Sequence, residues 1–326
     1  MRVYKLHPRT IGERELTVDA FEEGTQKQPP WYQKDAKDNK ERHFAVCPAC
    51  DNPIQIIGLT QQQLHTERPY GRHANTPVPG FALFDSTVFD WCPYLAKNRS
   101  GTVTGKRAAD IDDIALSILA LVLTQYDRVV HILKRDLGFK MFPNQAQDLL
   151  THWFDAEGYL YREATLRNIP WMVAYRARAL SLFGQKIESD ALRQAIADGI
   201  PDLEVADNGR LVRRTGGRYR SIMWCCIHHR FAMNDEVLEE TMEFVVTVDN
   251  QNTVVHRKTV SFEPEYFDNL LRLPESQARR DRALLKATRE VFQQRLSPDL
   301  LHRVEDRARA LESDAAATLA APLHRL

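Results

Sequence analysis

Cysteine is scarce in this chain and does not follow the pattern of a disulfide-bonded protein. There are five cysteines in 326 residues, an odd number, and Cys225 and Cys226 are adjacent. Such a set does not form the paired framework of a small secreted domain. The first 18 residues, MRVYKLHPRTIGERELTV, also lack the apolar stretch of a secretory signal. We therefore expect a protein of the reducing cytoplasm.

A long apolar segment is also missing. The most apolar run covers residues 114–126, and charged side chains stand at both of its ends: Asp112, Asp113, Asp127 and Arg128. These 13 residues are fewer than the roughly 20 that an α-helix needs to cross a bilayer. The run therefore predicts a buried helix and no contact with a membrane.

Neither sign of charge is in excess. The chain has 44 Lys and Arg residues against 44 Asp and Glu residues, so no global field attracts it to nucleic acid or to an anionic membrane. Contacts of that kind must come from a local patch. The sequence contains no GxGxxG, P-loop or HExxH motif, which removes three common signatures of nucleotide or zinc chemistry.

The hydrophobic periodicity changes along the chain and predicts an α+β protein of five segments. Helical spacing begins near residue 111 and falls back to a period of two after Pro201, where Asp207-Asn208-Gly209 predicts a hairpin. Within this helical region, one helix is expected over residues 169–187. The segments are N-terminal strands (to residue 21) with a polar linker (1–42), a zinc-ribbon-like module (43–106), a central helical bundle (107–200), an antiparallel β-hairpin region (201–274) and charged C-terminal helices (275–326).

The clearest motif is the cysteine pair in HFAVCPACDNPI, residues 43–54. Thiolates are soft, charged zinc ligands, and two intervening residues let both sulfurs bind one ion from a tight turn. Cys47, Cys50, Cys92 and His73 make a Cys3His set, with His65 and His43 as competing fourth ligands. The segment resembles zinc ribbons and zinc fingers in general. Three cysteines close the ligand shell, which predicts a structural Zn²⁺.

Two other interpretations of the cysteine pair stay open. A redox pair would begin a helix after a strand, whereas the Asp51-Asn52-Pro53 that follows favours a turn. The second alternative is a pair of buried thiols without a metal.

Histidines in the later sheet region suggest an enzyme instead. In MWCCIHHRF, strand alternation places Cys226 and His228 on one face and Cys225 and His229 on the other. His228, His229 and His256 are weak candidates for a catalytic, metal-dependent hydrolase or nuclease site. The order His-His, Asn250 or Asn252, His256 is loosely similar to HNH nucleases, but a strand rather than a helix is expected after His256.

Clustered arginines suggest contact with phosphate. The segment GRLVRRTGGRYR contains five arginines, an aromatic residue and no acid, and ERPYGRH adds arginines beside His73. The candidate nucleic-acid-binding residues are Arg68, Arg72, Arg210, Arg213, Arg214, Arg218, Tyr219 and Arg220. The alternative is a solvated hairpin whose arginines pair with Asp202, Glu204, Glu239 or Glu240.

The C-terminal segment alternates charge along its helices and carries an apolar stripe of Leu284, Leu285, Val291, Phe292 and Leu296. This pattern favours docking to a protein partner or to a second copy of the chain.

Together these patterns predict a zinc-stabilised, cytoplasmic subunit that binds DNA or RNA or helps assemble a complex, without catalysis of its own. The histidine-site enzyme and a pure interaction scaffold are the alternatives.

Overall fold

The computed structural model describes residues 1–8, 10–35, 38–60, 68–81, 84–90, 92–95, 105–106, 110–234, 237–249, 253–273 and 276–320. Side chains are described up to residue 313, except at residues 87 and 90. Helices and antiparallel sheets are mixed along the chain, and the α+β class is confirmed.

The N-terminal part is built on a four-stranded antiparallel sheet of order β3-β4-β5-β6. One face of this sheet is buried, with Ala45 and Ile54 fully covered, and the alternating residues on the other face stay partly exposed. The elements are β1 (Val3–Tyr4), β2 (Arg14–Glu15), α1 (Val18–Thr25), β3 (Tyr32–Lys34), β4 (Glu41–Val46), β5 (Pro53–Ile57), β6 (Tyr70–His73) and α2 (Ser86–Asp90).

Two expectations for residues 1–42 are wrong. The predicted strand pattern ends at Glu15, because Thr17 caps a helix there and its hydroxyl accepts a hydrogen bond from the Ala20 amide at 3.1 Å. The predicted linker over residues 22–42 contains the end of α1, all of β3 and the start of β4. The strand β3 is short and polar, and only its pairing with β4 identifies it.

A 25-residue helix forms the centre of the molecule. It is α3 (Asp113–Leu137), capped by the Asp112 carboxylate and ended by Gly138 at a φ of 77°, a left-handed geometry that glycine adopts without strain. It is longer than the apolar run that predicts it. Of the described helices it alone is long and apolar enough to cross a membrane, but 78% of its most apolar stretch is buried inside the protein.

Shorter elements surround α3. They are β7 (Phe139–Lys140), α4 (Pro143–Asp155), α5 (Ile169–Arg176), β8 (Leu180–Ser181), β9 (Lys186–Ile187) and α6 (Asp190–Gly199). The helix expected over residues 169–187 is therefore 8 residues long, less than half of its predicted length. It ends at Arg176 because the following residues join sheets: β8 pairs with the long strand at Met223 and Trp224, and β9 pairs with β7.

The predicted hairpins of the sheet region are present. The strands are β10 (Leu203–Val205), β11 (Leu211–Arg213), β12 (Ile222–Asn234), β13 (Val237–Val248) and β14 (Val254–Ser261), and a four-stranded sheet has the order β14-β13-β12-β8. Trp224 and Phe244 are buried on its inner face, with Phe139 5.3 Å from Trp224 between ring centroids. Each large apolar side chain buried in this way contributes about 1.5–3 kcal/mol.

The C-terminal helices close the core rather than leaving it. They are α7 (Pro264–Arg272), which the sequence analysis does not predict, α8 (Arg282–Arg295) and α9 (Pro298–Ala320), with the expected break at Ser297-Pro298. Both α8 and α9 pack on α3. Four of the five stripe residues, all except the half-buried Leu285, are buried inside the chain.

A buried ion pair connects the N-terminal segment to the helical part. Two nitrogens of Arg167 lie 2.5 and 2.6 Å from the Glu13 carboxylate oxygens, and Arg167 also donates a hydrogen bond to the Tyr94 hydroxyl at 2.8 Å. Glu13 also donates its amide to Asp268 in α7. Burial raises the pKa of Glu13 above its ordinary value, although the Arg167 charge opposes the shift.

Candidate metal centre

The two residues between Cys47 and Cys50 form a tight turn that joins β4 to β5. The Cys47 amide donates to the Asn52 carbonyl at 2.9 Å, and the Asp51 amide donates to the Cys47 carbonyl at 3.1 Å. Asp51 has a φ of 57°, the left-handed conformation that such a turn requires. The motif is a hairpin turn and does not begin a helix, so it lacks the geometry of a thioredoxin-type redox pair.

Four side chains from different parts of the module meet at this turn. The Sγ atoms of Cys47 and Cys92 are 3.6 Å apart, and Cys50 Sγ lies 3.3 Å from Nε2 of His73. All four ligand atoms lie within 4.8 Å of one another. Zinc bonds of about 2.3 Å to sulfur and about 2.0–2.1 Å to nitrogen separate tetrahedral ligand atoms by about 3.6–3.8 Å. The predicted set is therefore a cluster that can hold one metal ion.

Asn52 supports the cluster without being a ligand, and the sequence analysis misses it. Its side chain is 1% exposed; the amide nitrogen donates to the Asp85 carbonyl at 3.1 Å, and the amide oxygen accepts from the Asp85 amide at 2.8 Å. The same nitrogen lies 3.6 Å from Cys50 Sγ. Because Asp85 leads into α2, this pair fixes the segment that delivers Cys92. A polar residue two positions after CxxC is the one signal in the sequence.

The three thiols of the cluster differ in the direction of their pKa shifts. Burial opposes ionisation of Cys47, but hydrogen bonds from the other two thiols and the charge of His73 hold the pKa of Cys47 well below its ordinary value. Burial and the neighbouring sulfur raise the pKa of Cys50 and of Cys92. One thiolate is thus favoured, and a cation is the natural partner for a second and third.

The competing fourth ligands have different outcomes. His43 lies on the buried face of the sheet, where it contacts the Tyr32 ring at 4.5 Å between centroids and Glu41 Oε1 at 3.0 Å, and it does not belong to the cluster. The expectation that His43 competes as a ligand is wrong. His43 shares the buried face of the sheet with His73, but it stands opposite Ile56, whereas His73 stands opposite Ile54, two residues along β5 and next to the cysteine turn. His65 lies outside the described residues.

The histidines of β12 and β14 do not form a comparable cluster. His229 is buried and contacts Glu240 at 3.2 Å, whereas His228 is exposed and contacts Glu243 on the opposite face at 3.2 Å. His256 packs beside the Phe244 ring. Within the described part of the chain, none of the three belongs to a group of metal-ligating side chains. Asn250 and Asn252, the other residues of the HNH-like pattern, lie outside the described residues.

The predicted alternation of faces in β12 is wrong after Ile227. The pairing shifts between Ile227 and Arg230, and His228 has a φ of 54°. This is a β-bulge, in which two residues of one strand oppose one residue of the next. The extra residue brings His229, not His228, to the same buried face as Cys226.

His229 lies in a buried network of polar side chains. Asn168 donates to both Glu240 and the Glu163 carbonyl, at 2.8 and 2.9 Å. Burial raises the pKa of Glu163, against the opposing effects of the Tyr161 hydroxyl and His229. Its Oε2 atom has no hydrogen-bond partner among the described residues. This is a polar network inside the core, not an open site.

The arginines predicted to bind nucleic acid differ in their pairing. Arg220 binds Asp202 at 2.7 Å and Asp249 at 2.6 Å, Arg214 lies 3.4 Å from Glu204, and Arg210 stacks over the Phe142 ring at 4.4 Å. Exposed residues with no ion pair among the described residues are Arg68, Arg72, Arg213 and Arg218; Tyr219 is 75% exposed. The solvated-hairpin alternative thus describes Arg214 and Arg220.

No family model, curated protein or solved structure matches this chain. Its function is therefore inferred from its own side chains.

Proposed function

We propose that this chain is a zinc-stabilised, cytoplasmic nucleic-acid-binding subunit without its own catalysis. Zn²⁺ at Cys47, Cys50, His73 and Cys92 fixes the β4–β5–β6 sheet, and unpaired arginines on that sheet contact phosphates. Supporting this proposal, three sulfurs and one imidazole nitrogen make a complete, closed ligand set for zinc. A closed set leaves no position for a catalytic water.

The observation that carries the proposal is the position of Arg72. It precedes the candidate ligand His73 in β6 and is exposed, with no ion-pair partner among the described residues. Arg68 lies just before the same strand and is also exposed. An ion that fixes His73 therefore also fixes the strand that presents arginine to solvent. Unpaired arginine is well suited to bind phosphate oxygens.

Metal content tests the first half of the proposal. The purified full chain should contain about one zinc per molecule, and Cys50→Ser should lose most of it, because the shell is then incomplete. Cys225→Ser is the matched control, since Cys225 is half-buried on β12 and outside the cluster. Wild-type protein free of transition metal, or equal zinc in both variants, would contradict a Cys3His zinc site.

Salt-dependent binding tests the second half. Titration of labelled DNA and RNA oligonucleotides should give an affinity that falls as the salt concentration rises. A plot of log affinity against log salt concentration should have a slope that becomes smaller in magnitude by about 0.7–0.9 for each phosphate contact removed by Arg68→Ala or Arg72→Ala. Arg279→Ala, an exposed arginine before α8, should leave affinity and slope unchanged. Arg213→Ala and Arg218→Ala separately test the β11–β12 loop. Binding that is salt-independent, or equal in all variants, would refute the proposal.

A further inference from the structure

A groove of about 890 Å³ runs over the outer face of the N-terminal sheet, beside the candidate metal centre. Its floor consists of the residues that alternate with the buried ones. In register, Phe44 of β4 stands opposite Gln55 of β5, and Gln55 stands opposite Arg72 of β6. Directly opposed residues share a face, so these three side chains form one row across the sheet. Tyr70 lies on the same face, two residues before Arg72.

The groove differs from an ordinary solvated face in its composition. Phe44 and Tyr70 are aromatic side chains on a polar surface. Both are only partly buried, and both line the groove. The charged residues that line it are Lys34, Arg42 and Arg72 against Asp35, and Asp35 binds Arg42 at 2.6 Å. Lys34 and Arg72 are exposed and have no ion pair within the described ranges. Positive charge is thus left over at both sides of an aromatic floor.

Hydrogen bonds and conformationally restricted residues hold the walls of this groove in place. Gln33 donates to the carbonyls of Pro30 and Pro79, at 2.7 and 2.8 Å, and so connects β3 to the segment that follows β6. Residues 74–79, which include two prolines and two β-branched residues that restrict the backbone, line one side. His73 also lines the groove, so the ion that binds its ring holds one end of the floor.

We propose that this groove binds single-stranded nucleic acid, with bases stacked on Phe44 and Tyr70 and phosphates bound by Lys34 and Arg72. The inference rests on the proposed function and adds the surface and the strand state. Aromatic rings in the floor of a groove reach base faces only when the bases are unpaired, because in a duplex those faces are covered by neighbouring bases. Glutamine and asparagine side chains in the groove, such as Gln55, offer hydrogen bonds to base edges. The chemistry is that of a stacking platform with a positive rim.

The test compares single and double strands on the full-length, zinc-loaded chain. Fluorescence anisotropy is measured with a labelled oligo(dT), an oligo(rU) and a DNA hairpin duplex of equal charge. Phe44→Leu and Tyr70→Leu, which keep apolar volume but remove the ring, should each weaken single-strand binding about 5- to 150-fold and leave duplex binding unchanged. Arg72→Gln should weaken binding and reduce the salt dependence, and Arg279→Gln should do neither. Zinc content and thermal unfolding of each variant establish that it is folded.

The outcomes separate this inference from the proposed function. If Arg72→Gln weakens binding while both ring variants bind normally, or if duplex and single strand bind equally, the groove inference is wrong and the proposed function stands. If the wild-type chain binds no oligonucleotide, both are wrong. Displacement of oligo(dT) by polyglutamate, or by a mononucleotide at the same concentration of phosphate, would overturn the groove inference in favour of an acidic protein segment or a small-molecule site.

Discussion

Asn52 shows how much of the candidate metal centre depends on a residue that offers no ligand. Its buried side chain exchanges two hydrogen bonds with the Asp85 backbone and lies against Cys50 Sγ. Residues that orient metal ligands from the next layer commonly change metal affinity as much as a weak ligand does. The three candidate cysteine ligands were predictable from spacing and chemistry, and His73 was predicted as the fourth with His65 and His43 as alternatives. Asn52 was not, because its partner is backbone 33 positions away.

Replacing this amide should weaken the centre without removing a ligand. Asn52→Ala removes both hydrogen bonds that the buried Asn52 side chain makes with the Asp85 backbone, so we expect a loss of about 1–3 kcal/mol in the free energy of unfolding and zinc affinity lower by about 10- to 100-fold. Competition with a chelator and urea unfolding measure the two effects. Asn75→Ala, at an exposed position of the same module, should change neither. Equal zinc affinity in both variants would show that Asn52 has no orienting role.

Glu163 makes stability depend on pH. Burial raises its pKa above the ordinary value of 4.5, so the folded chain holds this proton to a higher pH than the unfolded chain does. Between the ordinary and the raised pKa, the contribution of this group to the free energy of unfolding therefore falls as pH rises. Glu163→Gln removes the titration, and its stability relative to wild type should increase with pH across that window and then level off.

Urea unfolding of both proteins at a series of pH values between about 4 and 8 measures this difference. Glu290→Gln, at an exposed position of α8, should show a stability difference from wild type that does not follow the same window. A relative stability of Glu163→Gln that is constant, or that falls as pH rises, would mean that the buried carboxyl carries no raised pKa.

At the scale of elements, the bulge in β12 explains why a correct strand was given the wrong faces. The sequence RYRSIMWCCIHHRF predicts a long strand over residues 218–231, and β12 forms over residues 222–234, but a single inserted residue exchanges the two faces beyond it. Bulges with a residue in the left-handed region usually place glycine there, and His228 gives no such signal. The same difficulty applies to β3 and to the early end of α5, where pairing with distant strands outweighs local pattern.

The left-handed backbone at His228 reverses the usual order of alanine and glycine. An L-residue in this region costs roughly 1–2 kcal/mol, so His228→Gly should be more stable than His228→Ala by about 1 kcal/mol. At the regular, exposed position 232 of the same strand, Ala232→Gly should instead destabilise the chain by about 0.5–1 kcal/mol. Chemical denaturation of the three variants measures both differences. Alanine more stable than glycine at position 228 would show that the bulge is not formed.

At the scale of the whole molecule, the C-terminal helices pack into the core of the chain, whereas the sequence analysis predicted that they dock to a partner. The apolar stripe of α8 predicted a partner, yet most of it packs inside the chain, and docking of a partner or a second copy stays an untested prediction without that support. The five-segment division is likewise a prediction. The buried apolar side chains form one cluster that includes residues from Met1 to Leu311. Amphipathic pattern identifies that a face is buried, but not against what.

The contact between the C-terminal part and α3 contains a strong buried ion pair. Arg280 binds both carboxylate oxygens of Asp127, at 2.7 and 2.9 Å, and the Asp127 side chain is 4% exposed. Arg280→Ala leaves this carboxylate buried without its guanidinium, and we expect a loss of about 3–5 kcal/mol in the free energy of unfolding. The neighbouring Arg279→Ala should change it by less than about 0.5 kcal/mol. Similar denaturation midpoints for the two variants would contradict this role.

The pairing of Glu13 with Arg167 decides how the chain can be divided for expression. Glu13 precedes the cysteine-rich segment and Arg167 follows it by many residues, so any fragment that stops near residue 106 retains the carboxylate and discards the guanidinium. Tyr94 then loses its hydrogen-bond donor as well, and the surface around Glu13 and Tyr94, which is buried in the whole chain, becomes exposed to water. Studies of the candidate metal-ligand region therefore require protein extending past α5, and preferably the intact polypeptide.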